Sequence, residues 1–586
     1  MKKHFMIFIF LIVTLPLKTL DTWMLTDIRL DTGDPVGTNT SERPKITCYG
    51  SNVYAAWMDF RNGNMDIYFN SSTDNGVTWQ SSDIRLDTGD TAGANSSEYP
   101  QLTCSDNNVY VVWFDYRNGA GDIYFNYSND NGINWKSSDI RLDTGDTAGA
   151  NYSYYPQIIC TGNNVYVVWY DGRNFGYDIY FNYSIDGGVN WQLSDIRLDT
   201  GDTAGANSSR EPQITCLENK VFVVWSDKRN GDDDIYFNYS TDNGVTWQPS
   251  DIRLDTGDSA GANDSFCPQI ACFGNNVYAV WLDYRDYGAD IYFNCSNDNG
   301  ITWQSSDIRL DAGDAPGSGN SYYPQITCSG NNVYVVWHDN RNGFPDIYFN
   351  YSTDNGQDWQ SSAIRLDTGD IAGANYSYSP QITCSVNNVY VVWYDYRNGS
   401  TDIYINNSTN GGATWQSSGI RLDTGDIAGA NNSEHPQITS FGSDVYVIWH
   451  DVRNGSADIY FNKLIPPWID IKANGSDEPV SITQSDTLQI KVSLNRFGLI
   501  VDVDYWLAYK GPFGWIHYSN TTKKWEPGLG VTHQGPLLDL NNKKVFQKSG
   551  LAPGKYIFFF GVDMNMDGNL TKSEIYYDQV KVTVTQ

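Results

Sequence analysis

Residues 84–90 read IRLDTGD, and this heptapeptide or a close variant recurs at a constant spacing of 56 residues. A period of this length is typical of β-propellers and other repeat arrays, in which each unit is one supersecondary structure. The spacing therefore predicts a chain built from structurally equivalent units. The copies begin at Ile28, Ile84, Ile140, Ile196, Ile252, Ile308, Ile364 and Ile420.

Four short strands are predicted within each period. In one period they are PQITC at residues 324–328, NVYVVW at 332–337, DIYFNYS at 346–352, and a segment that runs from Trp359 through AIRLD. Turn-forming Asn and Gly residues separate them. The second and third strands are apolar or aromatic on both faces, so each must lie between two other sheets. Radially packed four-stranded blades provide that environment.

The two ends of the array predict how it closes. Residues 22–31, TWMLTDIRLD, read as a fourth strand without the three that should precede it, and residues 436–462 read as three strands without a fourth. An N-terminal strand that completes the last sheet gives eight blades. We therefore predict an all-β fold, with an eight-bladed β-propeller over residues 23–463 closed by its N-terminal strand and followed by a small β-sandwich domain. An open superhelix is the alternative.

A second repeated pattern, Ser-x-Asp-x-Gly-x-Thr-Trp, first occurs at residues 72–79 as STDNGVTW and returns with small changes in six later periods. This is the Asp-box, and from about Trp23 to Lys463 the chain resembles the sialidase-like, or BNR-repeat, propellers. The Gly can adopt a positive φ, the Ser and Asp can bond backbone amides, and the Trp fills the gap between blades. We interpret the box as a structural clasp. The resemblance implies that it lies on the face away from the family's catalytic pocket. Its carboxylates are Asp74, Asp130, Asp186, Asp242, Asp298 and Asp354.

The resemblance also raises the alternative of a sialidase-like enzyme. That family uses three arginines to hold a carboxylate, a Tyr–Glu pair, and an Asp as acid/base. Eight equivalent arginines follow the second strands, and we expect each to pair with a local carboxylate, such as Asp59 or Asp66 in the first period. The family's Phe-Arg-Ile-Pro motif is missing, because Arg43 directly precedes Pro44. A glycosidase also needs two positioned carboxylates. The arginines are Arg61, Arg117, Arg173, Arg229, Arg285, Arg341, Arg397 and Arg453.

Two sets of positions vary from period to period while the rest hardly change. They are the pair before each first-strand Pro and the residues beside the Asp that ends the second strand. Strand connectivity places both sets on the face opposite the Asp-boxes, around the mouth of the central channel. Aromatic and charged residues on one rim predict a surface for a cell-surface glycan or protein; drift at unconstrained loop positions is the alternative. The predicted rim residues are Arg43, Tyr99, Tyr154, Tyr155, Tyr170, Arg210, Glu211, Tyr322, Tyr323, His338, Tyr378, Tyr394, His435 and His450.

Composition and the N-terminus bear on partners and location. The chain has 38 basic and 69 acidic side chains, a formal net charge of -31, which argues against a nucleic-acid partner. Residues 1–20 combine a basic start with a short apolar run, so we predict an export signal and an extracellular, secreted or cell-surface protein with no transmembrane anchor. Glycan acceptor triplets such as those at Asn126, Asn182 and Asn238 fit an exported chain.

After the array, residues 466–586 alternate as strands and Gly/Pro turns, which predicts an immunoglobulin-like β-sandwich. Residues 563–574, DMNMDGNLTKSE, match the calcium-loop pattern D-x-[DN]-x-[DN]-G-x5-E. We therefore predict Ca²⁺ as a cofactor, with an Asp/Asn-rich hairpin tip as the alternative. The Asp-Thr-Gly-Asp loops of the propeller, such as Asp31 to Asp34, are weaker candidates for cations. The predicted calcium ligands are Asp563, Asn565, Asp567, Asn569 and Glu574.

Two functions of different classes follow. The first is an exported, non-catalytic propeller that binds glycans or proteins through the rim. The second is a sialidase-like glycoside hydrolase acting on chain ends. Nearly uniform blades favour the first, because a single active site requires a local break in the symmetry.

Overall fold

The computed structural model describes residues 23–24, 26–464, 468–495, 502–563, 568, 570 and 575–586. One compact unit covers Met24–Lys463, and the described residues after Lys463 form a second. The predicted export signal, residues 1–20, lies outside the described residues. Within those residues, no helix has the length and apolar character needed to cross a bilayer.

The first unit contains eight four-stranded antiparallel sheets, which we call blades 1 to 8. Blade 1 contains Ser41–Tyr49, Asn52–Asp59, Asp66–Ser72 and Ile84–Arg85. Blade 2 contains Ser97–Ser105, Asn108–Asp115, Asp122–Ser128 and Ile140–Arg141. Blade 3 contains Ser153–Thr161, Asn164–Asp171, Asp178–Ser184 and Ile196–Arg197. Blade 4 contains Ser209–Leu217, Lys220–Asp227, Asp234–Ser240 and Ile252–Arg253.

The second half of the ring repeats this pattern. Blade 5 contains Ser265–Phe273, Asn276–Asp283, Asp290–Ser296 and Ile308–Arg309. Blade 6 contains Ser321–Ser329, Asn332–Asp339, Asp346–Ser352 and Ile364–Arg365. Blade 7 contains Ser377–Ser385, Asn388–Asp395, Asp402–Ser408 and Ile420–Arg421. Blade 8 contains Ser433–Phe441, Asp444–Asp451 and Asp458–Lys463, and its fourth strand is Ile28–Arg29.

The N-terminal strand closes the ring. Ile28 pairs with Phe461 and Arg29 with Tyr460 across the last sheet, and Arg453 binds Asp27 at 2.8 Å. First strands of neighbouring blades contact one another, including those of blades 1 and 8, so they surround the central channel. The prediction of eight blades closed by the N-terminal strand is confirmed, and the open superhelix is wrong.

The propeller core lies between adjacent blades. Trp113 of blade 2 packs in one apolar cluster with Tyr54, Ala56 and Phe69 of blade 1, and the equivalent Trp of every blade is fully buried. Burial of one such ring contributes about 2–3 kcal/mol. A single blade cannot bury its own aromatic faces, so stability depends on the neighbours.

The Asp-box turns fasten neighbouring blades. In blade 2, the Ser128 hydroxyl donates to Asp130 at 2.8 Å and accepts the Gly132 amide at 3.0 Å. Trp135 lies edge-on to Phe69 of the preceding blade at 4.8 Å. Gly132 has φ +77°, and a Cβ there would lie 2.5 Å from the Phe69 ring. The structure therefore confirms that the box is a clasp between blades.

The arginines that follow the second strands are held locally. Arg117 pairs with Asp115 and with Asp139 and stacks on Tyr124 at 4.0 Å. The expected pairing with the Asp59 type of carboxylate is thus confirmed. The other carboxylate named as a possible partner of Arg61, Asp66, instead lies 3.3 Å from the guanidinium of Arg85.

The predicted glycan acceptors Asn126, Asn182 and Asn238 are buried in third strands. The Asn126 amide donates to the backbone carbonyls of Leu86 and Lys136, and its oxygen accepts the Tyr127 amide. The Asn126 and Asn182 side chains join a blade to its neighbour, and all three amides donate to the segment after their own Asp-box, so they are not open to glycosylation in the folded protein.

The second unit is a β-sandwich. Its smaller sheet contains Trp468–Ala473, Thr487–Asn495 and Leu540–Ser549. Its larger sheet has the order Val480–Thr483, Ile575–Thr585, Gly554–Asp563, Asp502–Gly511, Gly514–Ser519 and Lys524–Pro527, and His533–Pro536 pairs with Asp502–Gly511. Leu488 and Ile490 of the smaller sheet share one core with Phe558 and Val582 of the larger.

Candidate ligand-binding site

The strand register places the rim and the Asp-boxes at opposite ends of each blade. In blade 3, Tyr154 pairs with Tyr170 near the end of the second strand. Val165, at the start of that strand, pairs with Ser184, which opens the Asp-box. We call the end of the channel that carries Tyr154 and its equivalents the channel mouth.

A β-bulge shapes every first strand at the channel mouth. The ladder shifts register between Tyr154 and Gln157 in blade 3, and it shifts at the equivalent place in every other blade. The residue before the Pro has a positive φ each time, although none is Gly. Such a conformation costs about 1 kcal/mol or more, and it clusters at functional sites. The eight residues are Arg43, Tyr99, Tyr155, Glu211, Cys267, Tyr323, Ser379 and His435, with φ between 47° and 56°.

Five of the eight bulge residues contact one another around the mouth. The Arg43 guanidinium lies 4.4 Å above the Tyr99 ring, and the centroids of Tyr99 and Tyr155 are 4.8 Å apart. Between blades 4 and 5, the Cys267 amide donates to Glu211 Oε2 at 2.8 Å. The bulge therefore turns one variable side chain per blade towards its neighbours at the channel end.

A polar layer follows directly after the prolines. The residue in this position is Lys45 in blade 1 and Gln in each of the other seven blades. Lys45 Nζ donates to Gln437 Oε1 at 3.4 Å. Burial lowers the pKa of Lys45 to about 8, and the nearby Arg43 acts in the same direction. The amides and this one amine provide donors and acceptors beneath the bulge residues.

A pocket of about 400 Å³ opens at the mouth across blades 3 to 6. It brings together five of the fourteen predicted rim residues: Tyr155, Tyr170, Arg210, Glu211 and Tyr323. The other lining residues are Gln157, Pro212, Gln213, Cys267, Pro268, Gln269, Pro324 and Gln325.

Tyrosines form the open walls of this pocket. Tyr155 stacks on Tyr170 with ring centroids 5.7 Å apart, and the residues Tyr155 and Tyr323 are 42% and 59% exposed. Burial, followed by a hydrogen bond to Tyr99, raises the pKa of Tyr155 to about 12. Burial, followed by the charge of Glu211, raises the pKa of Cys267 to about 12. At neutral pH the phenol and the thiol are therefore protonated, and Glu211 and Arg210 carry the pocket's charges.

The other predicted rim residues lie outside this pocket. Tyr322 and Tyr323 flank His338, whose ring lies 5.1 Å from Tyr378, and Tyr378 contacts Tyr394 at 5.8 Å. In blade 3, Tyr154 stacks on Tyr152 at 5.4 Å.

Two predicted rim histidines are covered by their neighbours. His338 is 4% exposed and His450, which packs on His435 at 5.2 Å, is 8% exposed. Burial lowers the pKa of His338 to about 4 and that of His450 to about 3. Both rings are therefore neutral at physiological pH, and they support the surface side chains above them.

The arrangement does not resemble a sialidase centre. Each of the eight arginines that follow the second strands binds the Asp two positions before it. Among the described residues that line the pocket, Glu211 is the only carboxylate. Most glycoside hydrolase families place two carboxyl groups on either side of the scissile bond, and the described lining of this pocket supplies one.

An acidic cluster of the propeller is already neutralised. Oxygens of Asp402, Asp423 and Asp426 lie within 4.8 Å of one another, close enough to hold a metal ion. Arg421 contacts all three, at 3.1, 2.9 and 2.6 Å. In blade 8, Arg29 binds Asp31 and Asp34 in the same way. In these Asp-Thr-Gly-Asp loops an arginine guanidinium therefore pairs with the carboxylates that were predicted as weak candidates for binding a cation.

The predicted calcium ligands belong to the β-sandwich. Asp563 is buried at the end of the strand Gly554–Asp563. The other four, Asn565, Asp567, Asn569 and Glu574, lie outside the described residues.

Sequence reasoning missed the polar layer, although a signal was present. The position after each first-strand Pro holds Gln seven times and Lys once, and comparison of the periods can detect that single exception. Cys267 was also missed as a pocket residue. Its role depends on the bulge and on the contact with Glu211 in the preceding blade, neither of which can be derived from residue types alone.

Comparison with protein families agrees with the repeated Asp-box. The BNR/Asp-box repeat model matches residues 239–249, which include the fourth copy of the box. None of the curated proteins searched matches the chain. An ulvan lyase from a polysaccharide lyase family is similar in structure, with 11% identity over 74% of this chain and 95% of that one and a TM-score of 0.40.

Two further structures are similar at the same level. The Trypanosoma rangeli sialidase has 10% identity over 84% of this chain and 88% of its own, with a TM-score of 0.34. An α-L-arabinofuranosidase from Fusarium graminearum has 14% identity over 53% and 92%, with a TM-score of 0.35. The chain is an eight-bladed β-propeller with BNR/Asp-box repeats, joined to a β-sandwich.

Proposed function

We propose that the protein is an exported, non-catalytic propeller that binds a glycan in the pocket across blades 3 to 6. The observation that carries this proposal is the combination of exposed tyrosine rings, Tyr155 and Tyr323, with glutamine amides beneath them and a single carboxylate, that of Glu211, beside them. The volume of the pocket, about 400 Å³, falls within the range of binding sites for small ligands.

Sugar rings match this combination of surfaces. The C–H face of a pyranose packs on an aromatic ring, and the tyrosine hydroxyl remains available to the solvent or to the ligand. The amides of Gln157, Gln213, Gln269 and Gln325 can donate to and accept from sugar hydroxyls. Adjacent Arg210 and Glu211 carry opposite charges, so the pocket has no strong preference for an ion.

The net charge of -31 favours a glycan over a polyanion, because the field of an acidic protein repels negative ligands. A peptide segment is the other ligand that tyrosine walls can accommodate. A sialidase-like hydrolase remains the alternative function. It is disfavoured by the single carboxylate of the pocket and by the local pairing of the eight arginines.

The test is a glycan array probed with the purified protein, followed by calorimetric titration of the strongest ligand. We expect Tyr323→Ala and Tyr155→Ala to weaken binding about tenfold or more, a loss of about 1.4 kcal/mol. Tyr287→Ala is the matched control, since Tyr287 is fully exposed and does not line the pocket.

Two results would overturn the proposal. One is the absence of any glycan whose affinity depends on Tyr155 or Tyr323, including the case in which a peptide library supplies the ligand instead. The other is turnover of a fluorogenic glycoside by the wild type that Glu211→Gln abolishes, which would make the protein an enzyme.

A further inference from the structure

One position breaks the amide layer at the channel mouth of the propeller. The residue after each first-strand Pro is Gln in seven blades, and in blade 1 it is Lys45. Lys45 is partly buried, and its Nζ has one hydrogen-bond partner within the described residues, Gln437 Oε1 at 3.4 Å. This distance is long for a hydrogen bond, and an ammonium group has three donors. Most of the hydrogen-bonding capacity of Lys45 is therefore unused.

The charge of Lys45 also lacks a counter-charge. In the part of the chain that the structure describes, no carboxylate forms an ion pair with Lys45 or with Arg43. Every other arginine of the propeller except Arg210 binds an aspartate. Enclosed charges are normally paired, and this chain has a large excess of carboxylates. Two neighbouring cations without a carboxylate partner therefore indicate a ligand.

The basic groups around Lys45 come from blades 1 and 8. Burial, followed by the charge of Arg43, lowers the pKa of Lys45 to about 8. The Arg43 guanidinium itself rests on the Tyr99 ring, 4.4 Å from its centroid. Burial, followed by the charges of Arg43 and Lys45, lowers the pKa of His435, and burial lowers that of His450 to about 3. Both imidazoles are therefore neutral at pH 7 and above, and the two cations are Arg43 and Lys45.

Three glutamates lie around this group, and none of them neutralises Lys45. Burial raises the pKa of Glu98, and the charge of Arg43 acts against this shift. Burial also raises the pKa of Glu434, and the charge of Glu42 adds to that shift. The pKa of Lys45 responds only to burial and to Arg43. All three carboxyl groups are ionised between pH 7 and pH 9, so Lys45 is the group of this cluster that titrates in that interval.

We propose that Lys45 binds an anionic group, a carboxylate or a sulfate, at the channel mouth between blades 8 and 1, with Arg43 as the second cation of the subsite. An anion supplies the charge and the acceptors that the ammonium group lacks, and such charge-assisted hydrogen bonds are about twice as strong as neutral ones. The net charge of -31 repels anions at a distance, so binding depends on these short contacts. The subsite lies apart from the pocket across blades 3 to 6, and neither depends on the other.

The experiment is a calorimetric titration of the full-length protein with sodium sulfate. A second arm uses an oligosaccharide that carries a uronate, together with its neutral, carboxyl-reduced form. We expect Lys45→Gln, which restores the residue of the other seven blades, to weaken binding of an anionic probe tenfold or more. Binding of sulfate that depends on Lys45 would identify a free ion as the ligand, and such binding of the uronate alone would identify a substituent of a sugar.

Lys136→Gln is the matched control. It makes the same chemical change at the Asp-box end, where each of the other six boxes is followed by Gln. We expect this variant to bind every probe as the wild type does.

The pH dependence and thermal unfolding distinguish a ligand from a purely structural residue. An anion binds the protonated amine, so its affinity should fall by about tenfold between pH 7 and pH 9, as Lys45 loses its proton. Without the anion, Lys45→Gln should unfold at or above the wild-type temperature, because it removes an unpaired cation. Sulfate stabilises many proteins, so the expected result is a larger rise in unfolding temperature for the wild type than for Lys45→Gln.

Three outcomes would contradict the subsite. The first is the absence of binding of any anionic probe to the wild type, and the second is a Lys45→Gln affinity within twofold of wild type for every probe. The third is an affinity that stays constant from pH 7 to pH 9, which would show that the anion does not contact the Lys45 amine.

Discussion

The two ends of each blade differ in what repeats from one blade to the next. At the Asp-box end, the residues and the backbone both repeat, and Ser128, Gly132 and Trp135 have counterparts in six other blades. At the channel mouth only the backbone repeats. The bulge holds φ between 47° and 56° in all eight blades, yet its residue is Arg, Tyr, Glu, Cys, Ser or His.

This difference between the Asp-box end and the channel mouth indicates that the first end stabilises the fold and that the second presents a variable surface. The Asp-box makes the same contact at seven of the eight junctions between blades, so its side chains hardly vary. The bulge is a strained conformation that is retained in every blade while its side chain varies among six residue types, which is the behaviour of a scaffold that presents a surface. Substitutions at the two ends should therefore have different consequences.

The largest effect is expected where the ring closes. Leu30 is buried in blade 8, and its amide donates to Ile459 at 2.8 Å. We expect Leu30→Asp to lower the free energy of unfolding by about 4 kcal/mol or more, because it buries an unpaired charge. Chemical denaturation followed by circular dichroism measures the loss. Ile427→Asp, at an exposed loop position, is the control, and an equal midpoint for both variants would contradict closure by this strand.

At the Asp-box end, Trp135→Ala removes a ring that lies edge-on to Phe69 of the preceding blade. We expect the free energy of unfolding to fall by about 2–3 kcal/mol. Tyr323→Ala at the mouth should change it by less than about 0.5 kcal/mol, as for other surface positions. Similar losses in the two variants would remove the distinction between the ends.

One buried aspartate follows the fourth strand of every blade, Asp311 in blade 5. These aspartates should make the stability of the protein depend on pH. Burial, followed by the charge of Asp290, raises the pKa of Asp311 to about 7. The Ser321 hydroxyl lies 2.8 Å from both Asp311 and Asp339, and its single proton can satisfy only one of them. A protonated Asp311 supplies the second hydrogen bond.

The direction follows from the raised pKa. The folded state retains a proton on Asp311 that the unfolded chain releases near pH 4, so stability falls as the pH rises from about 4 to 7. We expect the difference in unfolding free energy between wild type and Asp311→Asn to shift by about 1 kcal/mol per pH unit, in favour of the wild type at lower pH. Denaturant titrations from pH 5 to 8 measure it, and a constant difference would show that Asp311 is ionised throughout.

The smallest effect concerns the bulge. Ser379 has φ +50°, which a β-branched residue adopts only with strain. We expect Ser379→Val to cost about 1 kcal/mol of unfolding free energy. Ser379→Gly, the matched control, lacks the Cβ that causes the strain. Equal stability of the two variants would mean that the first strand can relax and that the bulge is not a fixed scaffold.

The architecture could be predicted from the sequence because its causes are local and repeated. The period, the strands apolar on both faces and the incomplete units at the two ends determine blade number and closure. The Asp59 partner of Arg61 is two residues away and was predicted. The second partner, Asp83, bound at 2.5 Å, is separated by a whole strand and was missed.

The candidate site was less predictable. No residue type signals a positive φ at Arg43 or Tyr155, since the residue before a proline is normally extended. The glycan-acceptor triplet at Asn126 gave a prediction that the fold contradicts, because Asn126 is buried. The predicted burial of the third strand on both faces already implied that its amide was enclosed, and the triplet pattern alone suggested a modification that packing prevents.

Closure by the leading strand also sets the order of assembly. The strand Ile28–Arg29 is the first of the propeller in chain order, while its partner Asp458–Lys463 is the last, and the contact between Asp27 and Arg453 joins residues 426 positions apart. Such pairings form late, after the entropy of a long loop has been overcome. Seven other segments carry nearly the same fourth-strand sequence, so on a growing chain the leading copy competes with them for third strands. Blade 8 alone lacks a fourth strand of its own, and a nascent chain that stops before residue 458 leaves its first strand without a permanent partner.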